Sequence, residues 1–306
     1  MRLMDLNIRR VQSSDLEDVN EISRHVWEGH DYVPSAAAQW VQDSKCHFYG
    51  VELDGHVVAV GNLHLIENGR VGWMEGLRVH PDYRRRGLAS ELTSFIVKRG
   101  EELGVEPLRY TTNVGNDASL RLAKKFGFKR VVTLAVAWLS KQKANSMPLG
   151  YPQIRKFGAK KVCSFLDADS RLVPRRILFY DWKASDVSCE NLLEIGKTHE
   201  FYAALKNERI DSMSLGSAGQ EGNRPWRSFT IYASDRHGFL AQLSHCTGVA
   251  LKKGANLIAC TFQLRFERTL KARFSDPEEY DGTRMILLQK QIRARRQLSD
   301  SHGQRG

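Results

Sequence analysis

The chain has 306 residues, of which 42% are hydrophobic and 26% are charged, and its net charge is +11 at pH 7. This composition excludes a fibrous or wholly disordered protein and leaves room for two domains, while the lack of a secretory segment and of an apolar run of roughly 18 residues predicts a cytoplasmic protein without a membrane span. Basic residues gather at 84–86, 156–161 and 293–296, and the last two groups have the character of solvated linker and tail charge, which disfavours specific nucleic-acid binding.

In the first 140 residues, the hydrophobic periodicity and the helix cap signals predict strands and helices in the order β-α-α-β-β-β-α-β-α-β. A hairpin is expected about Asp54-Gly55, which is a strong turn signal. The strands are predicted at 7–12, 48–53, 57–65, 71–79, 108–112 and 129–138. The helices are predicted at 16–26, 35–41, 89–99 and 118–126.

A basic loop joins the strand at 71–79 to the helix that begins at Ala89. Backbone N–H groups at such a place point towards one spot at the positive end of the helix dipole, and the spacing suits a pyrophosphate. The loop lacks the glycines and the Lys-Ser/Thr pair of nucleotide hydrolases, and it is not the Gly-x-Gly-x-x-Gly of dinucleotide sites. An arginine-rich helix start on a solvated face is the alternative. The loop reads Arg84-Arg85-Arg86-Gly87-Leu88-Ala89.

This loop resembles the acetyl-coenzyme A motif of the GNAT acetyltransferase superfamily, Arg/Gln-x-x-Gly-x-Gly/Ala. A second motif of that superfamily, Asn-x-x-Ala-x-x-Leu-Tyr-x-x-x-Gly-Phe, is similar to the segment from Asn116 to Phe128. Ala123 stands where many relatives have a tyrosine that protonates the leaving thiolate, so the source of that proton stays open. The resemblance implies an α/β GNAT fold, with a mixed, splayed central sheet and flanking helices, for residues 5–140.

The resemblance also implies where acetyl-CoA binds as a co-substrate. The N–H of Leu77 would hold the thioester oxygen, and Val79 would pair with the pantetheine amide. The coenzyme-binding residues implied in this way are Leu77, Arg78, Val79, Arg84, Arg85, Arg86, Gly87, Leu88, Ala89 and Asn116.

Glu75 is the candidate base, because it lies two residues before Leu77 and therefore on the same face of the strand. A structural glutamate is the alternative interpretation of this residue. His64 and His80 are weaker candidates. The catalytic residues predicted by the sequence are therefore Glu75 and Leu77.

The segment between the first two helices is expected to recognise the acceptor. It contains an acid and two aromatic residues, Asp31, Trp27 and Tyr32, which suit a cationic or aromatic small amine, although Trp27 is also a candidate core residue. The chain is also similar to the histidine N-acetyltransferase branch of the superfamily, at Asp31-Tyr32-Val33-Pro34, at Glu75-Gly76-Leu77-Arg78-Val79, and at Asp181-Trp182 followed by Glu190-Asn191-Leu192.

The branch resemblance implies direct transfer of an acetyl group to a primary amine in a ternary complex, with a free amino acid such as histidine as the acceptor. Acetylation of a protein N-terminus or lysine is one alternative. A coenzyme A-binding sensor without turnover is the other, and it is kept open by Ala123.

Residues 141–155 are polar and contain two prolines, which predicts a linker, and a second α/β domain is expected at 156–268. Without a second coenzyme motif, this half is expected to bind no second coenzyme, and a degenerate copy of the first fold stays open. A loop is expected at 211–225. Residues 269–306 are charged and poorly periodic, which predicts a partly disordered tail. Strands are predicted at 162–166, 176–182, 229–233 and 256–266, and helices at 189–195 and 238–252.

The five cysteines are scattered and odd in number. Without a Cys-x-x-Cys pair, they favour free thiols in a reducing compartment over disulfides or a zinc site. None of the ten histidines has ligand spacing with acidic partners, so no metal is predicted. The oligomeric state stays open. The cysteines are Cys46, Cys163, Cys189, Cys246 and Cys260.

Overall fold

The computed structural model describes residues 6–24, 26–145, 153–168, 171–221, 224–274 and 280–292. These residues divide into two compact units. The first unit lies within Met1–Tyr110, Leu122–Lys129 and Gln289–Gly306, and the second within Thr111–Arg121 and Arg130–Leu288. No helix among the described residues is both long and apolar enough to cross a bilayer.

The first unit has the predicted α/β architecture. Its sheet has the strand order β1-β2-β3-β4-β5, in which the first three pairs are antiparallel and the β4–β5 pair is parallel. Strand β5 and helix α4 have residues in both units. The elements are β1 (Asn7–Arg10), α1 (Leu16–Ser23), α2 (Val33–Gln42), β2 (Cys46–Leu53), β3 (His56–Ile66), β4 (Val71–Val79), α3 (Leu88–Glu102), β5 (Leu108–Asn113) and α4 (Asp117–Lys125).

Local sequence explains the elements around the basic loop. The β2–β3 turn places both Asp54 and Gly55 at positive φ, the conformation that a two-residue hairpin turn requires. Helix α3 buries its apolar stripe, of which Leu92 and Ile96 are almost fully buried, and each such side chain stabilises the fold by about 2 kcal/mol. Ile96 packs over Gly61, where a Cβ would lie 3.0 Å from its Cδ1. The start of α3 is therefore fixed relative to β3.

The second unit contains a seven-stranded arrangement in the order β14-β6-β13-β12-β11-β10-β7 and a separate β8–β9 hairpin. Its elements are β6 (Lys129–Ser140), α5 (Lys141–Asn145), β7 (Arg155–Phe157), α6 (Ala159–Ala168), β8 (Ile177–Tyr180), β9 (Lys183–Asp186), α7 (Cys189–Ile195), β10 (Glu200–Lys206), β11 (Arg209–Glu221), β12 (Arg224–Ala233), α8 (Arg236–Lys252), β13 (Leu257–Gln263), α9 (Glu267–Lys271) and β14 (Gly282–Lys290).

From β7 onwards, the second unit repeats the element order of the first, with the β8–β9 hairpin as an insertion between its first two helices. The pairing pattern repeats as well: β7–β10, β10–β11 and β11–β12 are antiparallel and β12–β13 is parallel. Strand β6, which completes the first run of elements along the chain, pairs antiparallel with β13. The degenerate copy that the sequence left open is thus visible in the topology.

Two secondary-structure predictions for the second half were wrong. Residues 162–166 lie in helix α6, because an apolar run of five residues does not distinguish a strand from a buried helical turn. Residues 211–221 and 224–225 belong to strands β11 and β12, where we expected a loop. Gly216 and Gly219 allow this close packing, since a Cβ there would lie 2.4 Å from Phe229 and 2.3 Å from Trp226.

The C-terminal segment also contains more structure than expected. Residues 282–290 form strand β14, whose central residues Met285–Leu288 are buried. Their apolar run was hidden among charged neighbours. The basic group at 293–296 lies outside the described residues.

The prediction of five free thiols was wrong for one pair. Cys163 and Cys189 form a disulfide with a Cα–Cα distance of 5.2 Å, whereas Cys46, Cys246 and Cys260 are buried thiols outside any disulfide. Helix α6 and the start of α7 bring the two residues together across 26 positions of sequence, which spacing alone does not reveal. The cysteines therefore no longer argue for a reducing compartment.

Candidate active site

Strand β4 contains a bulge at the position of the predicted oxyanion donor. The β3–β4 register pairs Val60 with Arg78 and then Asn62 with Glu75, which leaves Gly76 and Leu77 opposite Gly61 alone. Gly76 has a φ of +69°, and a Cβ there would lie 2.8 Å from two carbons of the Trp40 ring. Both the backbone conformation and the packing therefore require glycine at this position.

Strands β4 and β5 separate directly before this bulge. Their register contains two pairs, Gly72 with Leu108 and Trp73 with Arg109. The following residues of β4 have no β5 partner in that register. This geometry matches the splayed strands that the sequence predicted, with Leu77 at the open side of β4.

Glu75 lies at the start of the bulge and is largely buried, with 11% of its side chain exposed. Asn62 donates its amide Nδ2–H to Glu75 Oε1 at 3.2 Å, and His64 Nδ1 lies 3.4 Å from the same oxygen. The sequence considered His64 only as a separate base. Its position beside Glu75 depends on the cross-strand register, which the sequence alone did not reveal.

Tyr32 connects the acceptor segment to the bulge, because the Gly76 N–H donates to its hydroxyl oxygen at 3.2 Å. Burial of the hydroxyl end raises the pKa of Tyr32 to about 12, and the Glu75 carboxylate acts in the same direction. The hydroxyl therefore keeps its proton at neutral pH. The remainder of the ring is partly exposed.

Arg78 joins the three residues predicted to recognise the acceptor. Its guanidinium donates to both carboxylate oxygens of Asp31, at 2.9 and 2.8 Å. It also lies 4.9 Å from the centre of the Trp27 ring and 5.6 Å from that of Tyr32. Trp27 is 61% exposed, so it is not a core residue. The side chain of Arg78 is thus held against Asp31, and the contact of Arg78 with coenzyme remains a prediction.

The basic loop has the backbone conformation of an anion site. Arg85 and Gly87 have φ values of +62° and +86°, and Gly87 is the N-cap of α3 without a side-chain cap. Three exposed arginines surround this helix end, where the dipole favours negative charge. Arg84 Nε donates to the carbonyl oxygen of Val79 at 3.2 Å, which orients the loop against β4.

The remaining residues of the loop have different surroundings. Leu88 is buried, so its backbone rather than its side chain is available to a ligand, and Ala89 is half-buried. Lys125, which the sequence analysis missed, contacts the Ser90 hydroxyl through its ammonium group. It adds a cation to the first turn of α3. Lys125 is the last residue of α4, and nothing in the sequence around it predicts a contact with the start of α3.

Asn116 belongs to the second unit, and its side chain serves the start of α4. Its Oδ1 accepts the N–H of Ser119 at 3.1 Å, as an N-cap does. The predicted contact of Asn116 with coenzyme remains a prediction. Ala123, at the position of the tyrosine of many relatives, is buried.

The corresponding position of the second unit differs from the first. Only Ser234 and Asp235 connect β12 to α8, whereas eight residues connect β4 to α3. The Asp235 carboxylate accepts the Gly238 N–H at 2.8 Å and so occupies the end of α8 with negative charge. The β11–β12 register runs without a break from Ser212 to Glu221. Among the described residues, the β11–β12 pair therefore has no bulge at this position, and the start of α8 is capped by a side chain.

The first part of the chain matches a known family. Residues 14–128 match the model of the acetyltransferase (GNAT) family. The histidine N-acetyltransferase of Xenopus tropicalis is 31% identical over 84 residues, which are 28% of this chain and 26% of that protein. The human protein named probable N-acetyltransferase 16 is 34% identical over 100 residues, or 32% of this chain and 27% of that protein. The matched region spans about a quarter of these curated relatives.

The fold is also similar to that of a solved structure over most of the chain. The tandem GNAT protein from the clavulanic acid biosynthesis pathway superposes with a TM-score of 0.60 at 13% identity, covering 94% of this chain and 98% of that one. This likeness extends over both repeats of the element order.

Proposed function

Because residues 14–128 match the model of the acetyltransferase (GNAT) family, we propose that this protein transfers the acetyl group of acetyl-CoA to a primary amine. The observation that carries the proposal is the combination of the open helix end at Gly87 with the bulge at Gly76-Leu77 and the carboxylate of Glu75. These are a phosphate site, an oxyanion donor and a base on consecutive elements of one unit.

The coenzyme phosphates would bind at the basic loop. The positive end of α3, the left-handed backbone at Arg85 and Gly87, and the exposed arginines favour a pyrophosphate there. Lys125 adds a further cation. In the proposal the thioester lies along β4, where the separation of β5 leaves space beside Leu77.

The chain's residues supply the chemistry of a direct transfer from acetyl-CoA to the amine. Glu75 accepts a proton from the acceptor ammonium, and the freed amine lone pair attacks the thioester carbonyl. The Leu77 N–H stabilises the oxygen that becomes negative, which is worth roughly 3 kcal/mol for a donor of this kind. The attacking nitrogen then loses its second proton, the C–S bond breaks, and the thiolate takes up one proton, so that amide, thiol and the single proton on Glu75 balance the ammonium and the thioester. The group that delivers the proton to the thiolate stays open in view of Ala123.

The acceptor proposed is a free amino acid such as histidine. The imidazole of a histidine substrate can stack on the exposed Trp27 ring while the α-amino group of the same molecule approaches Glu75. Tyr32 lies between the Trp27 ring and the bulge at Gly76. The similarity to the Xenopus tropicalis histidine N-acetyltransferase supports this choice. A cytoplasmic location remains part of the proposal, and cell fractionation with an antibody to the protein tests it.

A thiol-release assay with acetyl-CoA tests the function across free amino acids, polyamines and short peptides. We expect release with histidine, and a loss of about 100-fold or more in kcat for Glu75→Gln with unchanged coenzyme affinity. Turnover with peptides alone would replace the small acceptor by a protein. Coenzyme binding without turnover towards any amine would contradict the enzyme and favour a sensor.

A further inference from the structure

The imidazole of His64 lies within reach of the proposed base on one face of the β3–β4 pair. Its Nδ1 is 3.4 Å from Glu75 Oε1, and the exposed fractions of the two side chains are 19% and 11%. Asn62, fully buried on the same face, donates to the same oxygen and holds the carboxylate towards β3. His64 therefore contacts the group that must lose a proton after every turnover.

Two further polar side chains lie close to His64. Asp43, which follows α2, and Cys46, at the start of β2, have a carboxylate oxygen and a thiol within 4.8 Å of an imidazole nitrogen of His64 and of each other. Cys46 is buried, whereas Asp43 is partly exposed. Asp43 Oδ1 accepts the N–H of Lys45 at 2.9 Å, which fixes its side chain at the surface. The sequence Glu75, His64, Asp43 leads from the bulge to solvent.

We propose that His64 is a positioning residue that carries the proton of the acceptor amine from Glu75 towards Asp43 and solvent. This inference rests on the proposed acetyl transfer. The ammonium N–H bond breaks as an O–H bond forms on Glu75, and the proton then passes to the neutral imidazole, which restores the carboxylate. One proton leaves to solvent for each amide formed, so no co-reactant is needed.

Direct loss of the proton from Glu75 to solvent is the competing route. Glu75 is more enclosed than His64, and one of its oxygens already accepts from Asn62. A relay through a more exposed imidazole avoids leaving a neutral carboxylic acid in the closed site between turnovers. Loss of the relay should therefore reduce turnover and leave coenzyme binding unchanged.

The test compares His64→Gln with the unmodified protein and with His56→Gln, in which an exposed histidine bonded to Asp18 is removed. We expect kcat of His64→Gln to fall about tenfold near neutrality and to recover at alkaline pH, where hydroxide takes the proton. The KM for acetyl-CoA should not change. His56→Gln should keep both the rate and the pH profile.

A second measurement separates a relay from a structural role. Added imidazole should restore the kcat of His64→Ala in a concentration-dependent way, and Asp43→Asn should reduce kcat less than His64→Gln does. The pH profile also contains the titratable groups near His64, which are Glu75 on β4, Asp43 after α2 and Cys46 on β2, and it contains Tyr32, which interacts with Glu75. Cys46→Ala, which keeps both carboxylates, should retain the normal profile.

Several outcomes overturn the inference. A loss for His64→Gln that is equal at all pH values, or no restoration by imidazole, assigns His64 a structural role, although Glu75→Gln still loses turnover and the proposed function stands. Stoichiometric zinc that is removed by His64→Gln would make Asp43, Cys46 and His64 a metal site instead. An unmodified protein without turnover would overturn both proposals.

Discussion

Among single residues, Asp31 has the most demanding surroundings, because its carboxylate is 1% exposed and paired with Arg78. Removing its charge leaves the guanidinium enclosed without a counter-ion. We expect Asp31→Asn to lower the free energy of unfolding by about 3 kcal/mol in urea titrations. Asp82→Asn, at a carboxylate 82% exposed, should change it by less than about 0.5 kcal/mol. Equal effects would contradict an ion pair that stabilises the fold.

His47 on β2 should make the fold sensitive to acid. Burial, together with Arg10 and Arg99, lowers the pKa of His47 from 6.5 to about 4. Between these values the unfolded chain binds a proton that the folded chain does not, so the free energy of unfolding decreases as pH falls from 6.5 to about 4. Above 6.5 this contribution is fully present.

Urea titrations across this interval test the expectation with His47→Gln. The variant should lose less stability on acidification than the unmodified protein, and His56→Gln, at an exposed histidine, should follow the unmodified protein. Parallel curves for all three proteins would show that His47 is not the responsible group.

For single residues, the sequence indicated which side chains are candidates for the site better than it indicated which side chains contact each other. Trp27, Asp31, Tyr32 and Glu75 were singled out by type and spacing, and the first three gather around Arg78. The contact of Glu75 with His64 was missed, because it depends on a register shift that no short pattern encodes. Likewise, the ion pair of Arg78 with Asp31 was missed, because the two residues lie 47 positions apart in the sequence.

Among the elements, the bulge of β4 depends on Gly76. An alanine there would adopt a left-handed φ and would overlap with the Trp40 ring. We expect Gly76→Ala to lower the free energy of unfolding by about 3 kcal/mol, the sum of backbone strain and steric overlap. Gly55→Ala is a matched control, since its φ is +82° but a Cβ would contact nothing within 4 Å. It should cost about 1 kcal/mol in the same urea titration.

If the two glycine variants are equally destabilised, the Trp40 contact does not constrain the bulge. Thiol release by Gly76→Ala adds a second readout. A displaced Leu77 N–H should reduce kcat more than it changes the KM for acetyl-CoA, because an oxyanion donor acts mainly in the transition state.

The basic loop makes a prediction about salt. Arg85→Gln should weaken coenzyme A binding about fivefold to tenfold at low ionic strength, the equivalent of roughly 1 kcal/mol, and less at high ionic strength. Arg24→Gln removes the same charge from an exposed helix end of the same unit and serves as control. Isothermal titration at two salt concentrations measures both. Equal losses for the two variants would assign the effect to overall charge.

The order of elements in the first half was predictable because turn and cap signals such as Asp54-Gly55 and Gly87 are local. In the second half these signals misled. Gly216 and Gly219 of β11 pack against the rings of Phe229 and Trp226 on β12. This packing depends on the pairing of the two strands, so neither strand's sequence predicts it alone.

For the whole molecule, the difference between the two repeats predicts one coenzyme for each chain. Asp235 supplies the negative charge at the end of α8, and the connection to β12 is two residues long. Titration calorimetry with coenzyme A should therefore give a stoichiometry of one. Arg85→Gln should weaken that single event, and a second binding event unaffected by Arg85→Gln would assign a coenzyme site to the second unit.

The pairing of β6 with β13 also determines when β6 can form its native contacts during translation. Strand β6 ends at Ser140, but its partner begins only at Leu257. At ribosomal speed this interval lasts on the order of ten seconds, during which the apolar edge of a nascent strand has no native partner. The first half can collapse while the ribosome is still working, yet β6 must wait for sequence not yet translated. Slower translation or a weaker supply of chaperones should therefore reduce the yield of this protein more than that of one whose strands pair with neighbours in sequence.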